Sequence, residues 1–300
     1  MPPVLCDKND FGMYIYGAHM SISARRAQYN QVVSPKRNSS DGFISALKEA
    51  HEVLHVNAMQ IFMKSPRGMA KTKLTAEEAR EFRAYSAKIG FKFTVAHCSY
   101  LLNFAKPGAE WALQSLVDDL KGVEMLDGAG VVLHVGKHLD LSEGEAFDFL
   151  IKNLKKVLEE TDGLKAKIIL ENTAGQGTEM GRSFEELSAI YSALGKNKRV
   201  VFCLDTCHAW AWGYDFTKPE KVFDEFDKIL GLKNLELIHF NDALKSRGSR
   251  VDRHANLGEG EIGDANLKAI IRFAGRESVP MIVETPDIAG GVRYVENAVS

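Results

Sequence analysis

Eight short, β-rich apolar segments recur along this 300-residue chain, and their recurrence limits the fold more than any other feature. They are MYIYGAH (13–19), NAMQIF (57–62), FKFTVAH (91–97), AGVVLH (129–134), KAKIILE (165–171), KRVVFCLD (198–205), NLELIHF (234–240) and VPMIVET (279–285). Their strand-end positions 19, 62, 97, 134, 171, 205, 239 and 284 are 34 to 45 residues apart, a step that fits one strand-and-helix unit each. The intervening stretches read as helices. Phe147, Leu150, Ile151, Leu154, Val157 and Leu158 share one face at helical spacing, as do Trp111, Leu113, Leu116, Val117, Leu120 and Val123. Thr75 and Ser183 are placed as helix N-caps. Strand then helix, eight times over, predicts parallel strands with crossover helices, and eight units favour closure into a (β/α)₈ TIM barrel over an open sheet. No linker or shift of composition divides the chain. We expect one domain over 1–300, with an N-terminal extension at 1–12, a polar insert at 31–42 and a long loop at 241–263.

The strands end on metal-ligand types: His19, His97, His134, Glu171, Asp205, His239 and Glu284. In a closed barrel all C-terminal strand ends meet at one face, so seven imidazoles and carboxylates would converge there. Singly, each reads best as a satisfied polar group. Together and unpaired they would be very costly to bury, and cations would offset that cost. Two loops add donors: Cys207 and His208 just after Asp205, and Asp252 with His254, alternate residues that point the same way in an extended stretch. Mixed nitrogen and oxygen donors suit zinc ahead of manganese or iron.

Composition is ordinary for a globular chain, with 45% hydrophobic and 26% charged residues. No apolar run approaches the roughly 20 residues of a membrane-spanning helix. The start, MPPVLCDKND, lacks the marks of a secretory signal, and four cysteines (Cys6, Cys98, Cys203, Cys207) form no dense framework. An intracellular protein with reduced thiols is expected. The formal net charge of −2 argues weakly against nucleic acid, but three bound divalent ions would reverse its sign.

GAHMS (17–21), HCSYLLN (97–103), ENTAGQG (171–177), LDTCHAWAWGYD (204–215), HFND (239–242), GSRVDRHANLGEGEIG (248–263) and IVETP (282–286) together resemble the endonuclease IV family of apurinic/apyrimidinic endonucleases. The likeness runs from residue 17 to residue 286, and DTCHA with SRVDRH is its most specific pair. It implies three zinc ions. His97, His134 and Glu171 would hold one. Glu171 would bridge to a second, held also by Asp205, His239 and Glu284. His208, Asp252 and His254 would hold the third. It further implies double-stranded DNA with abasic sites as the partner, cut 5′ to the lesion to leave a 3′-hydroxyl, by an enzyme expected to be a monomer. Glu171 is the expected catalytic residue, bridging two ions and orienting the attacking water; no covalent intermediate is required. Arg67, Tyr100 and Leu101 lie in loops placed to wedge into the duplex, although Tyr100 and Leu101 read almost as well as packing over the barrel mouth. Lys64, Lys245, Arg247, Arg250 and Arg253 are placed to meet phosphates. His19 is read as neighbouring the ligands or the DNA, not as a ligand. Two positions depart from the family pattern. Cys98 stands where Asp is usual, and Val135 stands where Pro is usual. They put in question the support of His97 and the loop after His134, with Cys98 itself read as a buried bystander.

Three rival readings remain. His51-Glu52-Val53-Leu54-His55 matches the zinc-protease motif H-E-x-x-H, a short pattern easily met by chance on the first barrel helix. A xylose isomerase-type sugar isomerase would gather similar strand-end donors around one or two metals, but would not need His208, Asp252 and His254. A non-catalytic DNA-binding module would keep all nine donors without catalytic benefit.

Overall fold

The computed structural model describes residues 14–22, 42–64 and 74–300. The expected extension at 1–12, all but the last residue of the insert at 31–42, and Arg67 lie outside the described residues.

Eight parallel strands close into a barrel. In chain order the elements are β1 (Tyr16–Met20), α1 (Phe43–Lys48), β2 (Ala58–Phe62), α2 (Ala76–Ile89), β3 (Phe93–His97), α3 (Glu110–Met125), β4 (Gly130–Leu133), α4 (Glu143–Glu160), β5 (Lys167–Glu171) and α5 (Phe184–Ala193). There follow β6 (Val200–Asp205), α6 (Thr206–Trp212), α7 (Pro219–Leu230), β7 (Leu235–His239), β8 (Asp242–Ala243), β9 (His254–Ala255), α8 (Asp264–Glu277), β10 (Met281–Val283) and α9 (Ile288–Val299). The barrel runs β1-β10-β7-β6-β5-β4-β3-β2 and closes where β2 pairs with β1. Gly17 permits that last approach: a Cβ there would collide with the Ala58 carbonyl. Two strands stop one residue short of the expected donors, β4 at Leu133 before His134 and β10 at Val283 before Glu284.

The helices form as their patterns predict. Thr75 accepts a hydrogen bond from Glu78 N and Ser183 one from Glu186 N, so both cap their helices through the side chain. Along α4, Leu150, Ile151, Leu154 and Val157 are buried against the sheet. One expectation fails locally. The stretch HEVLH is not regular α-helix, because α1 ends at Lys48 and Glu49–Val53 forms a single π-helical turn. His55 then adopts a left-handed φ of 55°. The two histidines therefore lack the one-turn α-helical relation that the zinc-protease motif needs.

Alternation along the strands carries the inside of the barrel up to its rim. Ala58, Val95, Val132, Ile169, Cys203, Leu237 and Ile282 form one buried interior cluster. Two residues further on, on the same face of each strand path, come Gln60, His97, His134, Glu171, Asp205, His239 and Glu284. The apolar layer is thus the floor on which the polar rim stands.

Candidate metal centre

Glu171 occupies the middle of the rim. Its Oε2 lies 3.0 Å from His134 Nε2 and 3.2 Å from His97 Nε2. Its Oε1 lies 2.9 Å from His239 Nδ1 and 3.3 Å from His208 Nδ1. Two of the three expected donor sets lie close enough together to share an ion. His97, His134 and Glu171 form the first, and Glu171, Asp205, His239 and Glu284 the second. In the third region His208 Nε2 and His254 Nε2 flank Asp252 Oδ1 at 3.3 and 3.5 Å, and Asp205 joins His208 and His254 in one ligand group. The structure brings all nine candidate donors together, from six barrel strand paths, the start of α6 and the loop beyond β7.

The second group is the deepest, with His239 and Asp205 wholly buried, whereas the Asp252 side chain is 39% exposed. A cavity of about 600 Å³ opens over the rim. Electrostatics dominate here. Burial alone would raise the Glu171 carboxyl, but the imidazoles of His239 and His134 outweigh it and hold the group well below the usual carboxylate range. Burial likewise opposes a charged His208, yet Asp205 and Asp252 raise that imidazole well above its ordinary value.

Local hydrogen bonds aim the donors. Asp205 caps α6, its Oδ1 accepting from His208 N at 2.7 Å, so His208 falls in the first turn and folds back over the mouth. Its Nδ1 lies 3.0 Å from Asn172 O. Asn241 Nδ2 donates to Asp205 Oδ2 at 2.7 Å, and Asn241 Oδ1 accepts from Glu284 N at 2.9 Å. Loop 241–263 is tied to the barrel through α6. Gly248 N and Arg250 N donate to the Trp210 and Ala211 carbonyls at 3.0 and 2.9 Å. The Arg250 guanidinium lies 4.8 Å from the Trp212 ring centre. The β8–β9 ribbon places His254 opposite Ala243.

The residues fit divalent cations. His254 Nε2 is buried and has no hydrogen-bond partner among the described residues, although it faces the Asp205 and Asp252 carboxylates at 3.7 and 3.5 Å. An unpartnered imidazole nitrogen facing carboxylate oxygens belongs to the mixed nitrogen-and-oxygen donor set that suits zinc. Cys203 and Cys207 also approach ligand groups, but burial pushes the Cys203 thiol up to about 12 and raises that of Cys207 as well.

The two departures from the family pattern are accommodated by main chain. His97 Nδ1 lies 2.8 Å from the Cys98 carbonyl, a partner independent of the side chain at 98. Cys98 itself is buried and belongs to none of the ligand groups among the described residues. After His134 the turn is made at Gly136, with φ of 123°, a conformation that glycine adopts freely.

One expected phosphate contact is corrected. Lys64 is buried, its Nζ donating to Ser115 O and Oγ at 3.0 and 2.9 Å and lying 3.1 Å from Asp119 Oδ1. Its ammonium is committed inside the molecule. Lys245, Arg247, Arg250 and Arg253 are exposed, with Arg247 paired to Asp215 at 2.9 Å. Tyr100 and Leu101 are 61% and 54% exposed beside the cavity. His19 Nδ1 lies 3.4 Å from Glu284 Oε1. Gln60, which the strand-end pattern of charged donors does not single out, is wholly buried beneath the second group. Its signal is the two-residue step from Ala58 along β2.

A profile of the xylose isomerase-like TIM barrel family matches residues 47–298. That is the class which the closed barrel and its rim define. Within it, a chain named "Probable endonuclease 4" from Nitrosopumilus maritimus (strain SCM1) is 38% identical over 238 residues, covering 77% of this chain and 85% of that one. Another of the same name from Chloroflexus aurantiacus (strain ATCC 29366 / DSM 635 / J-10-fl) is 35% identical over 277 residues, covering 90% and 91%. The crystal structure of endonuclease IV from Thermus thermophilus superposes with a TM-score of 0.80 at 32% identity, covering 95% of this chain and 98% of that one. The chain belongs to the endonuclease IV family.

Proposed function

We propose that this chain is a zinc-dependent endonuclease of base excision repair, working inside the cell on double-stranded DNA. It hydrolyses the phosphodiester 5′ to an abasic site and leaves a 3′-hydroxyl. The observation that carries the reading is the position of Glu171, whose two oxygens reach imidazoles of all three donor sets. Family membership supports the nuclease chemistry.

His97, His134 and Glu171 would hold one zinc, and Glu171, Asp205, His239 and Glu284 a second. His208, Asp252 and His254 would hold a third, with Asp205 alongside. Bound there, such ions supply Lewis acidity and positive charge for in-line displacement at phosphorus. The protein's own part is placement. Glu171 fixes the spacing between sets, and its depressed pKa keeps it ionised as a bridging acceptor. Asp252 and His254 line the open cavity, where a phosphate would enter. Tyr100 and Leu101 would fill the stack vacated by the abasic nucleotide, an easier step where no base is paired. Lys245, Arg247, Arg250 and Arg253 would meet the flanking phosphates as one barrel mouth engages the duplex, which suits a monomer.

The loop donors Asp252 and His254 weigh against a one- or two-metal sugar isomerase, which has no use for them. The test combines a cleavage assay on a duplex carrying one abasic analogue with metal counting on the same preparation. Site-specific cleavage with three zinc ions per chain is expected. Sugar isomerisation with two ions and no cleavage would overturn the reading.

A further inference from the structure

Gln60 is an uncharged side chain that touches two donors of the second group at once. It is wholly buried on β2. Its Nε2 lies 2.6 Å from Glu284 Oε1 and 2.9 Å from His19 Nδ1, and its Oε1 lies 2.8 Å from His239 Nε2. These contacts fix the amide's orientation. A carboxylate oxygen only accepts, so the NH₂ end must face Glu284 and the carbonyl end must face His239. His239 Nε2 is therefore the nitrogen that carries hydrogen, and Nδ1 is the nitrogen presented to Glu171 at 2.9 Å and Glu284 Oε2 at 3.4 Å. The same amide engages Glu284 Oε1 and leaves Oε2 to face the group. Its second N–H points to His19 Nδ1 at 2.9 Å.

We propose that Gln60 is a positioning residue for the second metal group, selecting the His239 tautomer and the Glu284 rotamer that ligation needs. The role rests on the metal-centre reading above. An apolar residue of equal size would fill the same space but leave His239 free to present either nitrogen and Glu284 free to turn. The loss would fall on one ion of the set, because neither the His97–His134 pair nor the Asp252–His254 pair touches Gln60 among the described residues. Partners of this kind are worth roughly 10- to 100-fold in metal affinity.

The experiment compares the wild-type chain with Gln60→Met, which conserves volume, and Gln60→Leu. Zinc content is counted after dialysis against graded chelator, and the visible spectrum of the cobalt-substituted protein reports coordination geometry. We expect both variants to keep the wild-type circular dichroism and to bind one ion about 10- to 100-fold more weakly, with a changed cobalt spectrum and the remaining ions unaffected. Equal affinity for every ion in both variants, within threefold, overturns the role. So does the loss of all ions together with the fold. If the wild-type chain itself takes up no ion, the metal-centre reading fails, and this inference fails with it for that separate reason.

Discussion

Glu171 Oε1 and His239 Nδ1 meet at 2.9 Å across the barrel mouth, from strands two places apart in the barrel order. This contact joins the deepest donor set to the one containing His97 and His134. Glu171→Gln keeps the shape but removes the charge and half the acceptor capacity. We expect cleavage of an abasic duplex to fall by several orders of magnitude in single-turnover kinetics, while binding in a gel-shift assay persists. Cleavage within tenfold of wild type would remove Glu171 from the chemistry.

Tyr100 and Leu101 follow His97 closely, yet both stand in solvent at 61% and 54% exposure. Their apolar area contributes little to folding as it stands. Stacking between a base and an aromatic ring contributes about 1–3 kcal/mol, or roughly 5- to 150-fold in affinity. Tyr100→Ala is expected to weaken abasic-duplex binding by that factor and to leave the melting temperature unchanged. If DNA affinity stays put while stability drops, these side chains serve packing instead.

The HEVLH stretch offers a control. Glu52 accepts from Tyr85 OH at 2.6 Å, and no ligand group among the described residues includes His51 or His55. The double change His51→Ala, His55→Ala should leave zinc content and abasic cleavage as in wild type. A large fall in either would revive a metal role for this turn.

Asp242 is wholly buried and carries no ligand role. Its oxygens accept from Ala243 N, Ile262 N, Gly258 N and Gly260 N at 2.8, 3.1, 3.1 and 2.9 Å. Removing it strands four amides in the loop beyond β7. Asp242→Ala is expected to cost about 3–5 kcal/mol in urea unfolding, as for other buried charged partners, and Asp242→Asn less. A cost under about 1 kcal/mol for the alanine variant would mean that water replaces the carboxylate.

Burial pushes the Asp119 carboxyl up to about 7, despite Lys64 Nζ at 3.1 Å. The folded pKa is above the unfolded one, about 3.9. Its contribution is therefore fully present below about pH 4 and is lost as pH rises through about 7. Asp119→Asn abolishes this slope, so the fall in melting temperature between about pH 5 and pH 8 should be smaller in the variant. Identical pH profiles would show that Asp119 titrates normally.

The strand-end donors were legible because a period of two and a closed barrel together dictate where every second side chain goes. Glu171 and His239 follow from that rule alone. His208, Asp252 and His254 do not, because loop and short-helix positions carry no barrel periodicity; their donor types beside the strand-end cluster single them out, and only their grouping into one site comes from the motif resemblance. Lys64 misled because a lysine beside a strand end looks solvent-facing, and nothing local announces that Asp119, 55 residues on, would draw it inward. Gln60 was hidden by its neutrality: an amide is neither ligand nor charge, and only its three contacts give it meaning. HEVLH reads as a chance match to a metal motif, and the π-turn that removes its helical spacing leaves no mark in the sequence.

Two main-chain hydrogen bonds, from Gly248 and Arg250 to the end of α6, hold the segment that leads to Asp252 and His254. The reach from His208 to Asp252 thus rests in part on peptide groups, which every side chain shares. Changes of side chain at 245–247 would leave these two main-chain anchors, and the path to Asp252 and His254 that they fix, in place.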